Sequence, residues 1–193
     1  MGLVYHRISV YKAPGGAFLR SMSTRTPLGS LRTLLVTAKR SDGWLQVQLP
    51  VRPNGTRAWI RKSSVVLDVV PMRIVINRRL HTLTLLRDGV RVARFPVAVG
   101  KPSTPTPTGL FWVIDKLPTG NPGGAFGPYA LGLSGYSNVL KSFDGGDGVV
   151  GIHGTNVSSS VGHPVTHGCI RLFNRDITKL YKQVWLGTPV LVR

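Results

Sequence analysis

Residues 72–100 read MRIVINRRLHTLTLLRDGVRVARFPVAVG, and the pattern in this stretch decides the fold class. Apolar residues alternate with polar ones through RIVIN and again through LHTLTLL, the period of a strand with one face toward a core. Asp88-Gly89 interrupts the pattern, and a further run, VRVARFPVAVG, follows. An Asp-Gly pair between alternating runs is the strongest short-range hairpin signal. The stretch is read as strands joined by tight turns, and the chain as mainly β.

Upstream, residues 8–67 repeat the theme in shorter pieces: ISVY, a Pro14-Gly15-Gly16 turn, LLVTA, an Asp42-Gly43 turn, WLQVQL, a Pro53-Asn54-Gly55 turn and AWIRK. Such spacing predicts a small barrel of five or six strands. Trp44 and Trp59 could line a peptide groove there or belong to its core. A boundary is expected near Val70-Pro71, giving two units, 1–70 and 71–193. Downstream lie a Pro/Thr-rich loop (KPSTPTPTG), the strand GLFWVIDK, a Gly/Pro-rich stretch from Leu117 to Pro128 and the short run YALGL. Asn174 can cap a helix in which Ile177, Leu180, Tyr181 and Val184 fall at i, i+3, i+4 and i+7.

The 193 residues include 25 Lys or Arg against seven acids, a formal net charge of +18. Residues 1–70 hold 11 Lys or Arg and 2 Asp, and residues 71–193 hold 14 and 5, so each part carries +9. The charge is spread, not a tail, and attracts polyanions: nucleic acid, acidic membrane surfaces and anionic wall polymers all qualify, and charge does not choose among them. Without a recognition helix or an aromatic RNA-binding signature, nucleic acid is not an expected partner. All seven acids are Asp, so a two-carboxylate glycosidase would need two of them to converge. The closest pair, Asp144 and Asp147, sits in SFDGGDGVV, which reads as a turn. No run is long enough to span a membrane. Met1 to Val10 lacks the apolar stretch of an export signal.

The chemistry concentrates in residues 149–176, VVGIHGTNVSSSVGHPVTHGCIRLFNRD, with three of the five His residues and the only Cys. A lone Cys excludes an internal disulfide. A thiol reacts as thiolate, and an imidazole assists by taking the proton or stabilising the anion. His153 closes a strand-like run and could face the sulfur of Cys169 across a cleft; His167 lies two residues from it on the same loop. Acyl transfer also needs converging N–H groups for a tetrahedral oxyanion, a role given to the amides of Gly168 and Cys169. Two other readings stand beside this one. His153, His163, His167 and Cys169 could hold a metal, although His-x-Cys is not a usual zinc spacing, and Cys169 could be an inert core thiol. His163 is read as a loop bystander and His6 and His81 as surface or structural residues.

His153 followed by Thr166-His167-Gly168-Cys169, together with TPTPTG, GIHGT and CIRLFNRD, resembles the L,D-transpeptidase catalytic-domain family over residues 72–193. Segments VYKAP, SDGWLQVQLP and RPNGTRAWI resemble bacterial Src-homology-3-like domains over about 60 residues. The resemblance implies a β-sandwich with one short helix after the Cys, preceded by a barrel that binds wall material or acts as a spacer. It implies Cys169 as nucleophile, His153 as base, the Gly154 carbonyl orienting the base, His167 and Thr166 shaping the site, and no metal or cofactor. Arg171 stands where some members carry Asn, and could hold a substrate carboxylate, as could Thr166 contribute to substrate binding. The implied partners are peptidoglycan stem peptides, cross-linked between diamino acids or trimmed by hydrolysis as an L,D-carboxypeptidase would, with carbapenems as covalent inhibitors. A non-catalytic wall-binding protein is the reading from a different class. A monomer is the default, and location is expected outside the cytoplasm, which implies that the chain lacks its export leader or that its start was misassigned.

Overall fold

The computed structural model describes residues 1–142 and 146–193, so Asp144 of the Asp144/Asp147 pair lies outside the described residues. Strands begin almost at once: β1 (Gly2–Val4), β2 (Ile8–Tyr11), β3 (Phe18–Met22), β4 (Thr33–Lys39), β5 (Trp44–Gln48), β6 (Arg57–Arg61) and β7 (Val65–Leu67). They form one sheet in the order β3-β2-β6-β5-β4-β1-β7. Seven strands stand where the pattern suggested five or six. The additions have a physical reason: β1 and β7 are three residues each, too short to display alternation, and they pair with one another. In β3 four of five residues are exposed, so it shows no alternation either.

The second part contributes β8 (Met72–Asn77), β9 (Thr82–Arg87), β10 (Val90–Pro96), β11 (Val99–Gly100), β12 (Gly109–Pro118), β13 (Tyr129–Tyr136), β14 (Val149–His153), β15 (Pro164–Thr166), β16 (Ile170–Arg171), α1 (Asn174–Gln183) and β17 (Pro189–Val192). Eight of these strands make a sheet ordered β10-β9-β8-β17-β12-β13-β14-β16, and β11 pairs with β15 apart from it. The Asp88-Gly89 turn closes its hairpin with both residues at positive φ, 50° and 83°, the conformation whose twist suits paired strands. Among the described residues α1 is the only α-helix, and no helix is long and apolar enough to cross a membrane.

Two buried clusters meet at one strand. Ile74, Ile76, Leu83, Leu131, Ile152 and Val190 belong to the cluster of the second part, while Val4, Ile8, Leu34, Val47 and Ile60 belong to that of the first. β12 feeds both. Successive residues of a strand face opposite sides, and Phe111 and Val113 enter the second cluster while Trp112 and Ile114 enter the first. This explains why FWVI is uninterruptedly apolar: the strand is covered on both faces. Polar bonds follow the same seam. The Trp112 indole N–H donates to the Thr33 carbonyl at 3.1 Å, the Gln48 amide to Leu110 O at 2.9 Å, and Thr26 Oγ1 to the buried Asp115 carboxylate at 2.5 Å.

Trp44 is buried outside the main amino-terminal cluster, edge-on to Tyr11 with ring centroids 5.3 Å apart and beneath the Arg61 guanidinium at 4.0 Å. Trp59 pairs opposite Tyr11 and Gln46 and stays half-buried.

The helix follows its expected stripe: Ile177, Leu180 and Val184 are fully buried, and Tyr181 stacks on Tyr129 at 4.2 Å between centroids. The cap differs. Phe173 occupies the position before the first turn without a side-chain bond, and Asn174 is already helical. Its carboxamide is engaged elsewhere, accepting from the Thr155 amide at 2.9 Å and donating to the Pro122 carbonyl at 3.0 Å. Long-range partners displaced the local cap.

Candidate active site

β14 ends in His153, and β16 starts immediately after Cys169. These two strands pair in parallel, with Ile152 level with Ile170 and His153 level with Arg171. A backbone hydrogen bond from Gly151, the residue before Ile152, reaches the thiol of Cys169, the residue before Ile170. The register follows from burial: Val150, Ile152, Ile170 and Leu172 all enter the core, which anchors both strands in phase. The strand pairing thus puts the end of the strand that carries His153 next to the start of the strand that follows Cys169.

The imidazole is held by its own chain neighbour. His153 Nδ1 lies 2.6 Å from the Gly154 carbonyl oxygen. A carbonyl only accepts, so Nδ1 carries the hydrogen and Nε2 is the ring's acceptor when neutral. The Phe126 ring packs at 4.8 Å between centroids. Burial pushes the His153 pKa down to about 4; the bond to Gly154 opposes this and the positive charge of Arg171 adds to it. Burial also pushes the Cys169 thiol up, against the Gly151 hydrogen bond and the Arg171 charge, which both favour the anion. At neutral pH the free protein therefore holds both the Cys169 thiol and the His153 imidazole uncharged, and the sulfur is not anionic at rest. Such a pair can still act if the ring takes the proton as the sulfur attacks. Cys169 keeps part of its surface accessible.

Beneath the sulfur, three buried threonines organise the loop. Thr166 Oγ1 donates to the Cys169 carbonyl at 2.6 Å and accepts from the Gly168 amide at 3.1 Å. Thr106 Oγ1 donates to the Gly168 carbonyl at 2.9 Å and accepts from the Gly100 amide at 2.9 Å, and Thr104 Oγ1 donates to the Thr166 carbonyl at 3.1 Å. Gly168 has φ +119°, a conformation that side chains rarely permit.

The other expected residues take the following positions. Thr166, assigned to substrate binding, is 0% exposed and its hydroxyl is engaged within the loop, so it shapes the site from below. The Gly168 amide, one of the two donors assigned to an oxyanion, is bonded to Thr166. His167 and His163 are exposed. Arg171 lies level with His153, and its buried Nε has no hydrogen-bond partner among the described residues. Among those residues no three His, Cys, Asp or Glu side chains gather as a metal-ligand set. Asp147 is exposed. The reading of the sequence missed Phe126, Thr104, Thr106 and the tie from Asn174. Each reaches the site from far along the chain, and only the Thr/Pro alternation of residues 104–108 hinted at a shaped loop.

Residues 71–192 match the model of the YkuD family, the L,D-transpeptidase catalytic domain. YkuD of Bacillus licheniformis, by name a candidate L,D-transpeptidase, is 42% identical over 125 residues, which are 65% of this chain and 67% of that protein. Among solved structures, an L,D-transpeptidase from Mycobacterium smegmatis superposes with a TM-score of 0.53 at 19% identity, covering 83% of this chain and 82% of that one. The L,D-transpeptidase LdtMt1 in complex with imipenem gives 0.51 at 19% identity, covering 87% of this chain and 96% of its own. At such identities these two structures speak for a shared fold.

Proposed function

The chain belongs to the L,D-transpeptidase catalytic-domain family, and from that premise we propose that it is a cysteine acyltransferase acting on peptidoglycan stem peptides. Cys169 is the nucleophile. As its sulfur attacks the carbonyl of the diamino-acid residue, His153 Nε2 takes the thiol proton, and the carbonyl oxygen becomes a tetrahedral oxyanion received by the Cys169 amide. Collapse of that intermediate breaks the bond to the terminal D-Ala, whose amine leaves with the proton from His153. A thioester remains on the sulfur. An amine of a neighbouring stem then attacks the thioester, giving a cross-link and returning the thiol; water in its place gives a trimmed stem.

Gly154 holds the ring through its carbonyl, and Arg171 pairs with a donor carboxylate, a role favoured by its unpartnered Nε. Residues 1–70 form a Src-homology-3-like unit that holds wall material or spaces the enzyme from it, and residues 71–193 form the catalytic unit. A location outside the cytoplasm follows from the substrate.

The observation that supports this reading is the ladder between β14 and β16, in which Ile152 pairs with Ile170 and His153 with Arg171 just after Cys169, with the ring's Nε2 left as acceptor. Intact-protein mass after incubation with a carbapenem tests it. Wild type is expected to gain one inhibitor mass and Cys169→Ala none; an unmodified wild type sinks the proposal. Activity abolished by a chelator would favour the metal reading instead.

A further inference from the structure

We propose that Thr106 is a positioning residue that aims the Cys169 amide at the oxyanion; this rests on the acyl-transfer reading above. The peptide joining Gly168 to Cys169 links the anchored carbonyl to the amide of the nucleophile. Among the described residues only Arg52-Pro53 is cis, so this peptide is trans, and its C=O and N–H point in opposite directions. Thr106 Oγ1 holds that carbonyl oxygen at 2.9 Å. Fixing the oxygen toward the loop of residues 101–108 turns the amide of the nucleophile's own residue to the other side.

The anchor matters more here than at an ordinary residue. Gly168 sits at φ +119°, and a glycine backbone offers few steric barriers of its own to rotation of the following peptide. The neighbouring Gly168 amide is already bonded to Thr166, so the Cys169 amide is the donor whose direction decides how an oxyanion is received.

Thr106 is itself held on three sides. Its Oγ1 accepts from the Gly100 amide at 2.9 Å while donating to Gly168, which uses the single hydroxyl proton and a lone pair at once. Its carbonyl takes a hydrogen bond from Arg78 Nη1 at 2.8 Å. The residue is 1% exposed, so water cannot stand in for the hydroxyl. The loop lies so close over Gly100 that a Cβ there would meet the carbonyl carbon of Pro105 at 2.7 Å, which leaves glycine as the residue that admits this approach.

The test compares two reactions at one sulfur. Acylation by a carbapenem passes through a carbonyl oxyanion: the sulfur bonds to the β-lactam carbonyl carbon, the ring C–N bond breaks, and the thiol proton ends on the ring nitrogen. Alkylation by iodoacetamide displaces iodide at a saturated carbon and makes no oxyanion. Thr106→Val is expected to slow acylation roughly 10- to 100-fold, within the range for loss of an oxyanion donor, with alkylation within about twofold of wild type. Thr106→Ser keeps the hydroxyl and should acylate within about threefold of wild type. Thr106→Ala removes the hydroxyl without adding a methyl, and replaces the Val variant if that does not fold. Equal slowing of both reactions, or a Ser variant as slow as Ala, or a Val or Ala variant acylating at the wild-type rate, overturns the inference alone. A wild type that alkylates without acylating overturns the functional reading and takes this inference with it.

Discussion

His153 donates from Nδ1 to the carbonyl of Gly154, the next residue in the chain, at 2.6 Å. The ring is thereby oriented by the backbone that carries it, and it stays neutral because burial and Arg171 together hold its pKa at about 4.

The first prediction follows from that value. Acylation by a carbapenem should keep its acid limb near pH 4 and not near the ordinary histidine value of 6.5, read from rates between pH 3.5 and 8. Stability should move with the same group. Between pH 6.5 and about 4 the unfolded chain binds a proton that the folded chain excludes, so stability rises with pH across this window. The contribution is complete above 6.5 and is lost as pH falls toward 4, by roughly 3 kcal/mol. Urea midpoints of wild type and His153→Gln at pH 7 and pH 4 check it: a wild-type loss no larger than that of the non-titrating variant refutes the assignment.

Arg171 lowers the pKa of both His153 and Cys169 by its charge. Replacing it with Gln should therefore raise the acid limb and raise the thiol further. If its guanidinium also binds a substrate carboxylate, KM for a tetrapeptide donor should rise about 10-fold or more, the scale of a lost charge-assisted hydrogen bond. Steady-state rates across pH separate the two effects. An unmoved acid limb removes the electrostatic role.

Gly154→Ala should destabilise by about 1–3 kcal/mol, the usual cost of overpacking. A Cβ there meets Gly127 Cα at 3.0 Å and Ile177 Cγ2 at 3.1 Å, and comes closer still to the Asn174 carboxamide that binds the Thr155 amide. Denaturant midpoints and acylation rates should both fall. A variant as stable and as fast as wild type would show that the chain after His153 yields freely.

Trp112→Ala should cost about 3–5 kcal/mol, the range for truncating a buried aromatic. The indole is 0% exposed and also donates to Thr33 across the seam between the two cores. Fluorescence and circular dichroism should report one unfolding transition shared by both parts. Two separate transitions would mean that the seam couples them weakly.

What could be read from the chain was local. The Asp88-Gly89 hairpin was legible because two adjacent residues decide it, and the stripe Ile177, Leu180, Tyr181, Val184 because a helix writes its burial into a short window. Residue type and motif singled out His153 and Cys169 as candidates, yet their burial was not legible, since desolvation depends on what packs around them. β1 and β7 escaped notice because three residues carry no period. Asn174 looked like a cap from its neighbours in sequence, but Thr155 and Pro122 compete for its side chain from 19 and 52 residues away. The same holds for Thr106, whose partner Gly168 lies 62 residues on.

The double-sided burial of β12 limits how this protein can be taken apart or recombined. Cutting away the first 70 residues would bare Trp112 and Ile114 to water and strand the carboxylate of Asp115 without Thr26. A truncated product would then be sticky and prone to self-association. Any new partner fused in place of the first 70 residues would have to supply its own apolar lid for that strand, so swapping the front end for an unrelated module is not a neutral operation.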